Sequence, residues 1–302
     1  MMFTWIIALM LLAQPVNVPN DLSITEKEQP VITINRTDFM IDLPGVPILD
    51  VGKYKSFLKR LDKQVYEEPV NAKIDSRGRI IPEQVGYKLN HRLFTDKFSA
   101  YFFSNGSAKI DVPKILVYPK VDSELLSDIR VKQIGRYDTY FNASNKNRSH
   151  NISLATEAIN NYVVFPGKTF SFNKVVGQRT KEKGYLPAKI IVRGEFSEGV
   201  GGGICQVSST LFNAVDRAGV QITQRYSHSK RVNYVPPGRD ATVSWYGPDF
   251  NFKNHYNQPI LIRANAQGSR VTVMVYSSDQ INYEPRKIPS ALKQPLQEVS
   301  SD

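Results

Sequence analysis

The sequence contains little cysteine and little histidine. It has one cysteine, Cys205, and four histidines in 302 residues. One cysteine excludes a disulfide within the chain, and a lone thiol in an exported protein is a candidate reactive group. The histidines show no metal-ligand spacing such as His-x-x-x-His; they are His91, His150, His228 and His255. The sequence therefore predicts neither a metal site nor a cofactor.

The sequence also lacks a nucleic-acid-binding motif, although it is basic. Its formal net charge is +11, but the lysines and arginines are spread along the chain rather than gathered in one arm. We therefore expect no nucleic acid partner. The charge suits an anionic neighbourhood, such as acidic cell-wall polymers or a membrane surface, although it is also explained by solubility alone.

Long apolar runs are absent apart from "MMFTWIIALMLLA" at Met1–Ala13. This run is shorter than the roughly 20 residues that span a bilayer, and it fits the apolar region of a signal peptide. No basic residue precedes it, and Leu11-Leu12-Ala13 is a poor cleavage site. A retained membrane anchor and a buried N-terminal element are the alternatives. We expect export to the outer face of the membrane or to the cell wall.

Apolar periodicity divides the chain into segments and predicts an α+β protein. In the first domain, the spacing of Tyr54, Phe57 and Leu61 predicts a helix, and two apolar runs around Ser76-Arg77-Gly78 predict a hairpin. The predicted segments are a signal peptide or short anchor over 1–16, a linker over 17–30, a small α+β domain over 31–128, a second domain over 130–276 and an irregular polar tail over 277–302.

The second domain is predicted to contain helices over about 152–161 and 206–218. Four strand-like runs follow with short turns between them, which favours antiparallel pairing. These runs are "VQITQRYSHS", "DATVSWYG", "QPILIRANA" and "RVTVMVYSS". The predicted fold class is α+β with two domains, the C-terminal one a mixed or antiparallel sheet with the cysteine-bearing helix packed on it.

Cys205 follows three glycines in "GEFSEGVGGGICQVSSTLFNAVDRAGV" and precedes a predicted helix. Neither the Walker pattern nor the dinucleotide fingerprint fits this spacing. A thiol at a helix N-terminus has a lowered pKa, and glycines permit a sharp turn with free N–H groups. The stretch favours a nucleophile beside a backbone loop that stabilises an oxyanion. The loop residues are Gly201, Gly202, Gly203 and Gln206. The alternative is a small buried core cysteine.

A nucleophilic thiol needs a base, and His228 on the next predicted strand is the candidate. Asp240 and Asn233 are the candidates for the group that orients its imidazole. Arginines that would bind a carboxylate or phosphate of a wall fragment, together with one aromatic residue, complete the predicted site. These substrate-binding candidates are Arg193, Arg179, Arg239 and Tyr234. Ordinary structural roles remain open for each of them.

Residues 134–276 resemble the VanW domain, first named from vancomycin-resistance gene clusters. The resemblance is carried by Gly-Gly-Gly-Ile-Cys-Gln, by Val-Pro-Pro-Gly-Arg-Asp-Ala and by "PGKTFSFNKVVGQRTKEKGYLPAKII". The first domain, especially "GRIIPEQVGYKL", is similar to a peptidoglycan-binding domain that often precedes VanW. The resemblance implies an exported cell-envelope protein of a Gram-positive bacterium, peripheral or N-terminally anchored at the membrane.

The same resemblance implies a cysteine-dependent peptidoglycan L,D-transpeptidase acting on stem peptides, with Cys205 as nucleophile and His228 as base. In the better-known L,D-transpeptidase fold the histidine precedes the cysteine, whereas here Cys205 comes first. That order is closer to NlpC-type endopeptidases, in which water takes the acyl group, so hydrolysis is one alternative. The other is a non-enzymatic wall-binding or scaffold protein in which Cys205 packs in the core.

Overall fold

The structure is a computed structural model, and it describes residues 20–43, 46–192 and 195–291. Its α-helices are α1 Val51–Val65, α2 His91–Phe102, α3 Ser123–Ile129, α4 Lys146–Ile159, α5 Phe172–Val176 and α6 Ile204–Arg217. Its strands are β1 Asp21–Glu26, β2 Gln29–Asn35, β3 Met40–Ile41, β4 Ile48–Leu49, β5 Lys73–Ile74, β6 Ile80–Ile81, β7 Gly86–Leu89, β8 Ala108–Asp111, β9 Lys114–Val117, β10 Lys132–Tyr140, β11 Tyr162–Val164, β12 Thr169–Ser171, β13 Pro187–Val192, β14 Glu195–Val200, β15 Gln221–Gln224, β16 Asn251–Lys253, β17 Ile260–Gln267 and β18 Arg270–Ser277.

The chain forms two compact units. The first contains the residues up to Asn71 together with Gln84–Lys120, and the second contains Ala72–Glu83 together with the chain from Val121 onward. The predicted boundary near residue 128 is therefore misplaced. In the second unit, Ser123 N–H donates to Glu83 Oε2 at 2.9 Å and Ile74 N–H donates to Asn161 Oδ1 at 2.9 Å. These contacts between distant residues set the boundary, and composition does not reveal them.

The first unit is built on a sheet of order β2-β1-β8, in which β1 is antiparallel to β2 and parallel to β8. Helix α1 begins where Asp50 Oδ1 accepts from Lys53 N–H at 2.9 Å, and it buries the predicted Tyr54, Phe57 and Leu61. The predicted helix is confirmed. The core of this unit is rich in aromatic side chains, which include Phe39, Phe57, Phe94, Phe98 and Phe102.

The predicted linker over 17–30 is wrong in its described part, because Asp21–Glu26 form β1. Leu22 and Ile24 alternate with polar residues and are fully buried. The turn after β1 places Lys27 and Glu28 at positive φ, a conformation that residues other than glycine adopt less often. Its sequence therefore carries no glycine signal for a hairpin, and its charged residues and neighbouring proline resemble a linker.

The second unit contains an antiparallel sheet of order β10-β18-β17-β11 with α6 packed against β10 and β18. The approach is close, because a Cβ at Gly135 in β10 would lie 2.3 Å from the Ala214 carbonyl oxygen. The hairpin between β17 and β18 turns at Gly268, which has a positive φ. The α+β class and the cysteine-bearing helix on an antiparallel sheet are confirmed.

Three predicted elements of the second unit differ from the structure. Helix α4 begins at Lys146, because Asn145 caps it there. The predicted start at 152 is too late, because the first turn of the helix has no apolar residue to show the helical spacing. Strand β15 ends at Gln224, so His228 lies in the following loop and not on a strand. The run "DATVSWYG" forms no strand, and the backbone of its Ala241 bonds instead to the side chains of Ser209 and Ser208 on α6.

The predicted polar tail is irregular in backbone but packed on the second unit. Ile281 is buried, and Arg286 Nη1 lies 2.7 Å from Asp216 Oδ1 on α6. Arg217 Nη2 donates to the Ile288 carbonyl at 3.1 Å. The predicted leader over 1–16 and the end of the tail lie outside the described residues. Within the described ranges, no helix has both the length and the apolar character to cross a membrane.

Candidate active site

Helix α6 begins at a glycine turn. Gly203 is its N-cap at φ 104°, a conformation that favours glycine. The N–H of Ile204 donates to the Gly201 carbonyl at 3.4 Å, and the N–H of Gln206 donates to the Gly203 carbonyl at 3.0 Å. In the described part of the chain, no acceptor is bonded to the N–H of Cys205. The amide of Cys205 is therefore a donor left open at the start of this helix.

The three glycines make room for protein rather than for solvent. A Cβ at Gly202 would lie 2.6 Å from the Lys189 carbonyl oxygen on β13. A Cβ at Gly201 would lie 3.2 Å from Arg179 Cβ, and one at Gly203 would lie 3.0 Å from Arg148 Cγ. The glycines thus let one strand and two arginines pack against the residues that precede Cys205.

Residues 239–243, here called the helix-paired segment, run antiparallel along α6. Successive turns of the helix contact every second residue of the segment. The contacts are Cys205 Sγ to the Val243 carbonyl oxygen at 3.6 Å, Ala241 N to Ser209 Oγ at 2.8 Å, and Asn213 Nδ2 to the Arg239 carbonyl oxygen at 2.7 Å. Four helical residues rise about 6 Å and two extended residues span about 6.6 Å, so the two repeats match.

The helix-paired segment brings Asp240 to His228. Asp240 Oδ2 accepts from both the backbone N–H and Nδ1 of His228, each at 2.6 Å. Both side chains are nearly buried, with 7% and 9% of their surface exposed. Because Nδ1 donates to the carboxylate, Nε2 is the nitrogen left for the thiol, and His228 lies close enough to Cys205 to lower the pKa of that thiol. Asn233, the other candidate, is exposed.

The three groups shift one another's pKa values. Burial raises the pKa of the Cys205 thiol, but the hydrogen bond and positive charge of His228 outweigh burial and bring the pKa below its ordinary value. Burial lowers the pKa of His228, but Asp240 and Cys205 outweigh burial and raise the pKa to about 9. Burial also raises the pKa of Asp240, and hydrogen bonds from His228 lower it overall. At neutral pH these shifts favour a thiolate beside an imidazolium.

The rate of alkylation by iodoacetamide reports the thiolate fraction of Cys205. We expect its pH profile to have a midpoint below the ordinary thiol value of 9.0. In His228→Ala we expect the midpoint above 9.0, because burial then acts without the opposing charge. A matched control is His150→Ala, since His150 bonds to the Gly184 carbonyl rather than to Cys205. Equal midpoints in the wild type and His228→Ala would contradict the ion pair.

Two of the predicted site residues are engaged in structural contacts. Arg239 donates to Asn213 Oδ1 at 2.7 Å and to Asp216 Oδ2 at 2.6 Å, so it fixes the helix-paired segment to α6 and is not a free anion receptor. The buried amide of Gln206 accepts from Arg148 Nη2 at 2.9 Å and donates to the Tyr140 carbonyl at 3.0 Å. The Gln206 backbone N–H is also occupied, so this residue offers no oxyanion donor. Arg193 lies outside the described residues.

Two other predicted residues lie close enough to Cys205 for its charge to affect their pKa values. Burial lowers the pKa of Arg179, and the charge of Cys205 opposes that shift. Burial raises the pKa of Tyr234 well above its ordinary value, and the charge of Cys205 adds to that shift. The Tyr234 hydroxyl is therefore a neutral donor at neutral pH.

Two residues near the site were not predicted. Arg148 packs against Gly203, and Thr242 Oγ1 lies 3.8 Å from Cys205 Sγ. Thr242 follows Asp240 by two residues in a run of alternating polarity, and this spacing in the sequence could have identified it as a site residue. Arg148 stands on the polar first turn of α4 and carries no such signal.

Comparison with known proteins is consistent with the site's position. The model of the family "VanW like protein" matches residues 147–276, which include Cys205, His228 and Asp240. The chain is 59% identical to the uncharacterized protein YoaR of Bacillus subtilis over 297 residues, 98% of each chain. It is 27% identical to the vancomycin B-type resistance protein VanW of Enterococcus faecalis over 140 residues, 45% of this chain and 51% of that protein. No solved structure matches.

Proposed function

The chain belongs to the VanW family, and from that premise we propose that it is a cell-envelope enzyme that transfers acyl groups between peptidoglycan stem peptides through Cys205. The observation that carries the proposal is the hydrogen bond between Asp240 and His228, at a place where His228 lowers the pKa of the Cys205 thiol. The name of the Enterococcus relative, a vancomycin resistance protein, supports a role in the cell envelope. The first unit would then hold peptidoglycan strands, as its resemblance implies.

In the first step, the Cys205 thiolate attacks the carbonyl carbon that precedes the terminal D-residue of a stem peptide. The N–H of Cys205 donates to the oxygen as negative charge develops on it. The C–N bond then breaks, and the His228 imidazolium gives its proton to the leaving amine. The products are a thioester, a neutral imidazole and a free D-amino acid.

In the second step, the amine of another stem peptide attacks the thioester. Neutral His228 takes one proton from that amine, a new amide bond forms, and the thiolate leaves. Thiolate and imidazolium are restored together, so the cycle consumes no further reactant. Asp240 keeps its charge throughout, and its Oδ2 holds His228 by accepting from both the backbone N–H and the imidazole Nδ1.

Mass spectrometry of muropeptides tests the proposal. Tetrapeptide-bearing muropeptides are incubated with the wild type and with Cys205→Ala, and the products are compared. We expect cross-linked dimers that have lost one D-amino acid, formed by the wild type alone. A matched control is Ser153→Ala, which removes an exposed hydroxyl of α4 that bonds to the Ser149 carbonyl.

Other products would overturn the proposal in distinguishable ways. Shortened stems without dimers would make the protein a hydrolase, with water as the acyl acceptor. Unchanged muropeptides over several donor lengths, with a folded protein and a reactive thiol, would favour a wall-binding protein.

A further inference from the structure

Arg179 is a cation without an acidic partner in the described ranges. Its Nη1 donates to Asn173 Oδ1 at 2.7 Å, and its guanidinium lies 5.6 Å from the centre of the Phe172 ring. Its Nη2 is shielded from solvent and has no hydrogen-bond partner. Burying an unmatched donor of a charged group is costly, so such a group calls for a functional explanation.

The carboxylate whose charge acts on Arg179 already accepts hydrogen bonds from other groups. Asp249 acts on the pKa of Arg179, but its Oδ2 accepts from Ser171 Oγ at 2.6 Å and its Oδ1 accepts from Asn173 N–H at 2.9 Å. Its Oδ1 also accepts from the Phe250 N–H at 2.8 Å. Asp249 therefore organises the backbone around α5 and leaves the second guanidinium nitrogen without an acceptor.

Two sets of contacts place Arg179 beside the thiol. The stem of its side chain fills the space next to Gly201, the first glycine before α6. Asn173, which Arg179 binds, donates from Nδ2 to the Ser244 carbonyl at 2.9 Å. Ser244 follows Val243, whose carbonyl oxygen is 3.6 Å from Cys205 Sγ. Two consecutive residues, Val243 and Ser244, thus contact the thiol and the Asn173 side chain that holds the guanidinium.

An anion that approaches Cys205 meets a net negative charge, because the thiolate and Asp240 are balanced by only one imidazolium, that of His228. A carboxylate is held there only if a cation compensates the repulsion at close range. A guanidinium is suited to this role, because its planar donors match a carboxylate and its charge persists at every physiological pH.

We propose that Arg179 binds the terminal carboxylate of the acyl donor and so directs Cys205 to the last peptide bond of the chain. In such a donor, the carboxylate carbon lies three bonds beyond the attacked carbonyl carbon, so both groups reach one small site. Naming a stem peptide as the donor rests on the proposed function. The carboxylate preference itself is independent of the proposed function, because it follows from the unmatched guanidinium beside the thiol.

Alkylation of Cys205 tests the carboxylate preference without peptidoglycan. Iodoacetate carries a carboxylate and iodoacetamide a neutral amide of similar size, so their rate ratio reports the preference while the thiolate fraction cancels. We expect Arg179→Met to lower the iodoacetate-to-iodoacetamide ratio by about tenfold or more, the size of one charged hydrogen bond. Arg179→Lys keeps the charge without the planar fork, so we expect an intermediate ratio.

The matched control is Arg77→Met, which removes the same charge from an exposed turn of the second unit. An unchanged ratio in Arg179→Met, or an equal fall in Arg77→Met, would overturn the proposal. If Arg179→Met fails to fold, Arg179→Lys and Arg179→Gln provide the same comparison.

Turnover of donor peptides tests whether the carboxylate preference also holds in acyl transfer. Tetrapeptide donors with a C-terminal carboxylate or carboxamide are compared by kcat/KM. We expect the wild type to favour the carboxylate and Arg179→Met to lose that preference. Turnover without any dependence on Arg179 would overturn this inference and leave the acyl transfer standing. A changed alkylation ratio without turnover of either donor would overturn the proposed function alone.

Discussion

Asp240→Asn is expected to lower kcat/KM for acyl transfer by about 10³-fold or more, close to the effect of losing the carboxylate from other catalytic triads. The amide is isosteric but uncharged, so it no longer favours the imidazolium. Because burial lowers the pKa of His228 once this charge is gone, the thiolate loses its counterion. Steady-state kinetics and the alkylation profile of Cys205 measure the two effects separately.

The matched control for Asp240→Asn is Asp216→Asn. Asp216 is also a partly buried carboxylate, but it binds Arg239 and Arg286 rather than His228. We expect this control to lower stability while leaving the pKa of the thiol unchanged. A folded Asp240→Asn protein with wild-type kcat/KM would remove Asp240 from the mechanism.

Asp240 also makes folding stability depend on pH. The pKa of His228 is about 9 in the folded protein against an ordinary value of 6.5. Its protonation therefore stabilises the fold fully below pH 6.5, and this contribution disappears as the pH rises through about 9. Asp240→Asn is expected to flatten that part of the pH dependence, which urea denaturation at several pH values measures.

Gly202→Ala is expected to destabilise the second unit by about 3 kcal/mol and to abolish the low pKa of the thiol. The added Cβ would lie 2.6 Å from the Lys189 carbonyl oxygen and 2.7 Å from the Ala188 carbonyl carbon. Backbone atoms do not move aside as flexible side chains do, so the turn before Cys205 must shift. Urea denaturation and the alkylation profile of Cys205 measure the two losses.

Gly247→Ala is the control for the loss of a glycine. A Cβ there would meet Ser244 at an ordinary 3.6 Å, and its backbone is not in the left-handed region. We expect its stability to change by no more than about 0.5 kcal/mol. Equal stability of the wild type and Gly202→Ala would show that the space beside β13 is not filled as described.

The fold was predictable where local pattern and packing agree. The spacing of Tyr54, Phe57 and Leu61 gave α1, because a helix with one apolar face is determined by its own residues. Strand β1 was missed although Leu22 and Ile24 alternate with polar residues, since charged residues and prolines around it resemble a linker. The boundary near residue 128 was also missed, because Ile74 and Glu83 bind residues far along the chain.

Within the site, residue type was more informative than position. Cys205, His228 and Asp240 were predicted as candidates; the structure bonds Asp240 to His228 and places His228 close enough to Cys205 to lower the pKa of its thiol. Arg239 and Gln206 were chosen for their chemistry, but a sequence does not show that Asp216 and Arg148 already bind them. The segment around Asp240 was predicted as a strand because its alternation does not reveal that the partner is a helix.

The helix-paired segment bonds to α6 at every second residue. Within this segment, a change of chain length therefore disturbs the structure more than a substitution does. Asp240 lies between Arg239 and Ala241, whose backbones bond to Asn213 and Ser209 on α6. Its position therefore depends on the number of residues between these two bonds. A conservative substitution at Ala241 does not change the number of residues between these bonds. Inserting or deleting one residue between Arg239 and Val243 exchanges the backbone groups that face α6 and separates Asp240 from His228. Among natural relatives, chain length in this stretch should therefore vary less than residue identity.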